Sequence, residues 1–242
     1  MSPNKIELNA RRRTKFKKKA PFFLAGLIAV LVVAVVFSLL LHRPAYYDPP
    51  VFVYSKEVSP YLTHELLPQL YNGVQLQEPF DLYVSQEGIN DVIARSKWPR
   101  ESDGIRFSAP EVLFVPGRIV LIGTADAGGM EFIVTVAAEP AFDQRGLLNV
   151  RLAKVKIGAM NITPLARMAA TRIYQRWFAA KNIETKDLRA KIAASLLNNE
   201  PFDPVFEIED KKVRAKKITI SDGKLIFHLA VADANGKDPL NN

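Results

Sequence analysis

Residues 118–138 read RIVLIGTADAGGMEFIVTVAA, and this stretch decides the fold. Its first eight residues are almost continuously apolar and rich in β-branched side chains, which predicts a strand buried on both faces. Gly128-Gly129 then predicts a tight turn. From Met130 onward the even positions are apolar, whereas Glu131 and Thr135 mark the odd positions. We therefore expect a second, antiparallel strand with one wetter face.

Short apolar runs on either side extend this pair into a meander. Residues 112–115 precede it and end at a Pro-Gly turn, and residues 147–157 follow after a turn predicted over 140–146. In the later run the apolar positions are even up to Leu152 and odd from Val155. Because a slip of one residue exchanges the faces of a strand, we expect a β-bulge near Ala153.

Helices and a closing hairpin surround the meander. Ser85 has the form of an N-cap for a helix that ends before Pro99, and Thr163-Pro164 has the form of an N-cap and first helical residue. The second of these helices should reach about residue 181, and another should run from about 185 to 199. The last strands are predicted at 205–208, 213–220 and 225–231. Helices segregated against an antiparallel sheet make an α+β fold, here a curved meander on one long helix with shorter helices.

A long apolar segment lies near the N-terminus. Residues 21–41, PFFLAGLIAVLVVAVVFSLLL, contain no charged side chain. At about 1.5 Å per residue they span about 30 Å as a helix, the thickness of a hydrocarbon core. A cleaved signal peptide usually has a shorter apolar core of about 7–15 residues and ends at a small-residue site. We expect a transmembrane helix, with a cleaved signal peptide or a buried core helix as the alternatives.

The formal net charge of +8 belongs almost entirely to one end of the chain. Residues 1–20 hold eight basic side chains and one acidic side chain, which leaves about +1 for everything after them. The positive-inside bias then places the N-terminus in the cytoplasm and residues 42–242 outside it, as a single-pass protein of the cell (inner) membrane. An anionic leaflet accounts for the basic tail, so we expect a lipid bilayer as partner and no nucleic acid. Tyr46 and Tyr47 suit the headgroup level or are linker aromatics.

These boundaries divide the chain into five parts. They are a basic cytoplasmic tail (1–20), a transmembrane helix (21–41), a proline- and aromatic-rich stalk with a short helix (42–79), an extracytoplasmic α+β domain (80–232) and a polar tail (233–242). The chain has no cysteine, so its outer domain must be stabilised by its own core without disulfides.

Motifs for catalysis, cofactors or metals are not found. His64-Glu65 begins an HExxH string, but Pro68 stands where the second histidine should be. His228 falls in the strand pattern LIFHLAV, where a hydrogen-bonded strand histidine is the simpler interpretation. No phosphate-binding loop, GxGxxG or GxSxG motif is present. We predict a protein that is not an enzyme, with no cofactor and no metal site.

A basic run near the C-terminus is the strongest charge feature outside the tail. Lys212, Arg214 and Lys216 are the candidates for binding a partner protein or lipid headgroups. The alternative is a solvated strand face whose charges protect a sheet edge.

Two structural motifs carry a family resemblance. They are Ser85-x-x-x-Ile89-Asn90-x-x-Ile93 and Pro140-x-Phe142-Asp143-x-x-Gly146-x-Leu148-x-Val150-x-Leu152-x-x-Val155-x-Ile157-Gly158-x-Met160-x-Ile162-x-Pro164. Over residues 80–180 this pattern resembles the YpmS-like bacterial envelope proteins and is similar to the YceB-like lipoproteins, although this chain has no cysteine to carry a lipid. Their meander and long helix are similar to the tubular lipid-binding (TULIP) superfamily, in which a curved sheet wraps a helix around a hydrophobic groove. The resemblance implies lipid binding by analogy and implies no catalytic residue.

The amount of apolar surface leads to the same expectation. A sheet that is apolar on both faces needs two covering layers, or one layer and a ligand, so the choice is between an ordinary packed core and a groove for a lipid-like ligand. The candidate groove residues are Leu121, Phe132, Val134, Leu148, Val150, Ile173 and Trp177. The alternative function is a structural or assembly factor that binds another envelope protein through the C-terminal hairpin and its basic strand.

Overall fold

The computed structural model of the protein describes residues 25–44, 47, 57–76, 78–177 and 187–232. Two antiparallel sheets and several helices form an α+β fold, the class expected from the sequence. The helices are α1 (25–40), α2 (Leu67–Leu76), which continues from a π-helical turn at Tyr61–Leu66, α3 (Gln86–Ala94), α4 (Thr163–Trp177) and α5 (Leu188–Asn198). The strands are β1 (Phe80–Ser85), β2 (Arg100–Ser102), β3 (Ile105–Phe107), β4 (Glu111–Val115), β5 (Arg118–Ala127), β6 (Met130–Phe142), β7 (Leu148–Ile157), β8 (Met160–Asn161), β9 (Val205–Ile208), β10 (Lys211–Ser221) and β11 (Lys224–Ala232).

Several predicted segments lie outside the described residues. They are the basic tail, the first four residues of the expected membrane span, most of the stalk up to residue 56, the end of the long helix after residue 177 and the polar tail. Within the described ranges, no helix combines the length and the hydropathy needed to cross a membrane.

The larger sheet has the order β2-β3-β5-β6-β7-β8, with β4 paired to β5, and the smaller sheet has the order β1-β11-β10-β9. Hydrogen bonds between β1 and β11 join the first strand of the domain to the last. The closing hairpin is therefore part of the fold's framework, and its turn at Gly223 has the positive φ of 70° that favours glycine.

The bulge expected near Ala153 is confirmed. Ala137 pairs with Lys154 and Ala138 pairs with Leu152, so Ala153 has no partner across the ladder. Because the extra residue restores the alternation, the even positions before it and the odd positions after it share one face of the sheet. The change from even to odd apolar positions in the sequence thus marks the bulge, and the apolar residues on both sides of it lie on the same face of the sheet.

The turn predicted over 140–146 begins later than expected. Strand β6 continues through Pro140 to Phe142, and the reversal is made by Asp143 to Leu147. The Asp143 carboxylate accepts hydrogen bonds from the N–H groups of Leu147 and Arg145, both at 2.9 Å. The N–H of Leu147 first, and then the side chain and N–H of Arg145, hold the pKa of Asp143 below its ordinary value. Asp143, which belongs to the motif that carries the family resemblance, therefore stabilises the turn.

The main core lies between the two sheets. Leu82 and Leu229 of the smaller sheet meet Phe114 of β4, and Val213 at the centre is fully buried. Helices α2 and α3 close this core at one side, with Ile89 and Ile93 packed against it. Burial of these aliphatic side chains is the main stabilising contribution to the domain.

Side chains from helices satisfy the outer edges of the larger sheet. Asn90 of α3 bonds both backbone groups of Val112 on β4, at 2.7 Å to the N–H and 2.9 Å to the carbonyl oxygen. On β7, the hydroxyl of Ser195 accepts the N–H of Val150 at 2.8 Å, and that of Thr163 accepts the N–H of Val155 at 2.9 Å. A buried edge without such partners would leave unsatisfied amides.

These contacts confirm one predicted cap and correct another. Ser85 caps α3 by accepting the N–H of Gly88 at 3.1 Å, as expected. Thr163 was expected to cap α4, but it is the first residue of the helix and its hydroxyl binds the sheet instead. The α5 cap is Asp187, which accepts the N–H of Arg189 at 3.0 Å.

The expectation of a wetter face on β6 is wrong. Ile133 and Ala137, on the odd face, are buried, whereas the even-face residues Val134 and Val136 are only partly buried. The reason is a contact from a distant segment of the chain, which the alternation of apolar residues along β6 could not predict. Tyr47, which follows α1, is buried on this face against Ile122 and Ile133.

The same contact overturns the interpretation of Tyr47 as a headgroup anchor, because its ring is buried and its hydroxyl lies 3.0 Å from that of Thr124, within hydrogen-bonding distance. The alternative, an aromatic residue of the linker, is compatible with this position, and the ring packs on the sheet. Tyr46 lies outside the described residues.

The substitutions Leu82→Ala and Tyr83→Ala test the core assignment on adjacent residues of β1. Leu82 is 8% exposed and faces the core, whereas Tyr83 is 46% exposed on the opposite face. We expect Leu82→Ala to lower the free energy of unfolding by about 2–4 kcal/mol and Tyr83→Ala to lower it by less than about 1 kcal/mol. Urea unfolding of the detergent-solubilised chain, followed by circular dichroism, measures both. Equal losses would contradict the assignment of faces.

Candidate functional site: an apolar groove on the larger sheet

An apolar groove of about 460 Å³ opens on the larger sheet beside the main core. Its floor is formed by β5 and β6, and its side wall by the β2–β3 hairpin and the segment that leads to β4. The lining residues are Trp98, Arg100, Glu101, Ser102, Phe107, Ser108, Pro110, Leu121, Gly123, Thr124, Ala125, Val134 and Val136.

Small residues on β5 create the space. Gly123 and Ala125 lie between Leu121 and the end of the strand, on the face that carries Val134 and Val136 of β6. A Cβ on Gly123 would meet Pro110 at 3.6 Å, an ordinary contact, so the position admits a methyl group and anything larger would enter the groove. Strand β5 is thus apolar, but its small side chains at Gly123 and Ala125 leave space above the sheet for the groove.

The hairpin wall is fixed by its turn. Asp103 and Gly104 have φ angles of 52° and 75°, the left-handed pair typical of a two-residue hairpin turn. Phe107 pairs with Ala125 on β5, which places its ring at the groove, where it stays 37% exposed. An exposed phenylalanine at the rim of an apolar groove is the surface feature that a bound apolar molecule would cover.

Trp98 and Arg100 form the other part of the rim. The indole N–H of Trp98 donates to the carbonyl oxygen of Ile93 at 3.1 Å, and the Arg100 guanidinium lies 4.6 Å from the centre of the indole ring. These contacts hold the ring in place, with the Arg100 guanidinium over one face of the indole.

Polar groups of the lining bond to one another. The hydroxyl of Ser108 donates to the carbonyl oxygen of Thr124 at 3.3 Å and accepts the N–H of Thr124 at 3.0 Å. The charged members, Arg100 and Glu101, are exposed at the mouth. The interior therefore offers almost only carbon surface, which suits the binding of an apolar molecule.

The structure brings together only part of the predicted groove set. Leu121 and Val134 line the groove. By register Phe132, Leu148 and Val150 share their face of the sheet, but they lie outside the groove, and Leu148 is buried beside Phe202. The sequence pattern thus identified the correct face without locating the opening.

Of the two predicted helical members, both on α4, Ile173 is not part of the groove. Helix α4 packs against β7 and α5, at one edge of the larger sheet, and Ile173 remains 43% exposed. Trp177 ends the helix, and its side chain lies outside the described residues. Helix α4 is therefore not wrapped by the curved sheet, contrary to what the resemblance implied.

Several lining residues were missed by sequence reasoning. Trp98, Phe107 and Pro110 lie in the segment between α3 and β4, where no periodicity marks them as members of one site. Gly123 is the residue that gives a signal, since a glycine inside an otherwise apolar strand indicates close approach or open space above it.

The remaining titratable groups hold structural positions. His228 lies on the outer face of the smaller sheet, with Nδ1 at 2.6 Å from Asp81 Oδ1 and Nε2 at 3.1 Å from the hydroxyl of Thr219. This is the hydrogen-bonded strand histidine expected from the sequence. The described part of the chain contains no group of three or more His, Asp or Glu side chains placed to hold a metal ion.

The basic strand is β10, and all three of its candidate residues make contacts within the chain. Arg214 forms an ion pair with Asp203, with its two terminal nitrogens 2.8 and 3.0 Å from the carboxylate oxygens. Lys212 and Lys216 are exposed and also make contacts within the molecule. The assembly-factor hypothesis stays a prediction.

A second feature connects the apolar helix to the domain. The carbonyl oxygen of Leu39, at the end of α1, accepts the N–H of Ala159 at 2.8 Å in the turn between β7 and β8. Gly158 lies so close that a Cβ there would collide with the carbonyl oxygens of Leu39 and Leu40. With Tyr47 buried on β5, the end of α1 is held at two points on the larger sheet.

Comparison of the sequence with protein-family models gives no match, and comparison with curated proteins gives none. The resemblance to the YpmS-like proteins remains a prediction.

The substitution Gly158→Ala tests the contact between α1 and the domain. Gly158 has a φ of 57°, a backbone conformation that is unfavourable for alanine, and the added Cβ would also collide with the end of α1. We expect amide exchange at Ala159 to become faster by at least about tenfold, because its acceptor is displaced. Hydrogen–deuterium exchange with mass spectrometry measures this.

Gly128→Ala is the matched control. Gly128 has a φ of 62° but nothing within 4 Å of its Cβ position, so it carries the backbone strain without the collision. Exchange at Ala159 should be unchanged in this variant, and a similar acceleration in both variants would show that the contact is not specific.

Proposed function

We propose that the protein is a membrane-anchored, non-enzymatic binding protein whose outer domain holds a lipid-like apolar ligand in the groove on the larger sheet. The observation that carries the proposal is a groove of about 460 Å³ whose interior is almost entirely carbon. Folded proteins ordinarily fill such a space, and an open apolar concavity is the usual form of a ligand site.

The dimensions favour a single chain over a bulky molecule. Ligand sites for small molecules occupy about 300–1,000 Å³, so this groove is at the lower end of the range. Each buried methylene contributes about 0.8 kcal/mol, and an alkyl chain of several methylenes would therefore gain several kcal/mol on entering. The polar end of such a ligand would remain at the mouth, where Arg100 and Glu101 are exposed.

The membrane part of the proposal rests on the N-terminal sequence and on α1. Residues 21–41 contain no charged side chain and follow residues 1–20, eight of which are basic. Large apolar side chains of α1 are exposed on all sides of the helix, from Leu27 to Leu39. A helix that is apolar all round requires an apolar surrounding, which a bilayer supplies. The basic tail favours a cytoplasmic N-terminus and an extracytoplasmic domain.

Native mass spectrometry of the full chain, extracted from cell membranes in a mild detergent, tests the binding. We expect a population that carries a bound lipid or fatty acid and that loses it on substitution of Gly123→Val. The Cβ of the valine would contact Pro110, and its two methyl groups would extend beyond that contact into the groove that Gly123 and Pro110 both line, where they would exclude the ligand. Bound ligand should fall by at least about tenfold, the result of about 1.4 kcal/mol of lost affinity.

Ser221→Val is the control for an added β-branched side chain. Ser221 is exposed at the end of β10, in the other sheet. Bound ligand should match that of the parent protein. A parent protein that carries no ligand after extraction, and that takes up no added fatty acid, would overturn the proposal.

A further inference from the structure

Helix α4 has an exposed apolar face that the groove does not use. Leu165, Met168 and Ile173 are 61%, 56% and 43% exposed, whereas Ala170, about 140° from Leu165 around the helix, is buried against the domain. Between residues 57 and 232, no other helix or strand that the structure describes exposes three large apolar side chains. A cluster of this kind marks an interaction surface.

The same face carries positive charge. At about 100° per residue, Leu165, Ala169, Arg172, Ile173 and Arg176 fall within an arc of about 100° on the helix. The α4 sequence contains three arginines and no acidic residue. Long arginine side chains can bury their stems in an apolar layer while their guanidinium groups reach anionic headgroups, so this face is complementary to the surface of an anionic bilayer.

Position in the chain adds a separate reason. Helix α4 begins four residues after Ala159, the residue whose N–H binds the carbonyl oxygen of Leu39 at the end of α1. The exposed apolar surface of α1 therefore ends at the turn from which α4 starts. If α1 crosses a membrane, the first turn of α4 is held close to the surface of that membrane.

We propose that α4 lies on the anionic surface of the bilayer, with Leu165 and Ile173 in the interfacial layer and Arg172 and Arg176 at the headgroups. This inference rests on the proposed membrane anchor and is independent of the groove. Its consequence is a domain that is oriented on the membrane by two elements, α1 through the bilayer and α4 along it.

The full chain offers a direct test because it contains no cysteine. Single substitutions Leu165→Cys, Ile173→Cys, Thr171→Cys and Val32→Cys each accept one nitroxide spin label. Thr171 is exposed on the same helix but lies about 120° from Leu165 and about 160° from Ile173, the two positions proposed to enter the interfacial layer, so it is the matched aqueous control for them. Val32, on α1, reports the anchor itself.

The labelled proteins are reconstituted in vesicles that mix phosphatidylglycerol with phosphatidylcholine. Collision with oxygen, which concentrates in lipid, is compared with collision with a water-soluble nickel chelate. We expect the oxygen-to-nickel ratio at 165 and 173 to exceed that at 171 by about threefold or more, and the ratio at 32 to be the highest. Arg172→Gln with Arg176→Gln should reduce the ratio at 173, and so should vesicles of phosphatidylcholine alone.

Each contrary outcome has a defined meaning. A lipid-like ratio at 32 with equal, aqueous ratios at 165, 171 and 173 would overturn the proposal for α4 and leave the anchor intact. Shielding of 165 and 173 from both reagents would overturn it in favour of a covering protein surface or second copy. An aqueous ratio at 32 would overturn the anchor together with this proposal, whereas the ligand-binding assay of the groove is unaffected by any of these results.

Discussion

The structure depends on one constraint, which is that strand β5 is apolar on both faces and must be covered on both. Ile122 in its middle is fully buried, and Leu121 beside it points to the other face. Each exposed apolar face would cost free energy in proportion to its area, so two separate layers have to assemble on this strand. The smaller sheet supplies one layer, and the segment after α1, through Tyr47, supplies part of the other.

The face of β5 that carries the groove is covered at one end of the strand and open at the other. At the Ile119 end, β4 and the smaller sheet close over it and form the main core, whereas at the Ala125 end the β2–β3 hairpin, Trp98 and the segment that leads to β4 stand beside it and leave the groove open. Gly123 is the point of change, since its missing side chain leaves the floor low. Its neighbour Thr124 contacts the hydroxyl of Tyr47 on the opposite face. The groove and the link to α1 therefore share a single strand.

Sequence reasoning recovered what depends on local pattern. The α+β class, the strands of the meander, the Ser85 cap and the bulge at Ala153 follow from periodicity and turn chemistry, which short-range physics determines. It failed where distant segments meet. The burial of Ile133 depends on Tyr47, some 86 residues earlier in the chain, and the groove depends on Trp98 and Phe107, which belong to a segment without periodicity. Thr163 was assigned to its own helix because its use by β7 is a tertiary contact.

A crystal structure of the protein bound to a bromine-labelled fatty acid would locate the ligand, because at its absorption edge bromine scatters anomalously far more strongly than the sulfur or any other atom of the protein. We expect a peak inside the groove, between the side chains of Leu121, Val134 and Val136, and no peak there when Gly123 is replaced by valine. A groove closed by the rings of Trp98 and Phe107, with bromine elsewhere or nowhere, would contradict it.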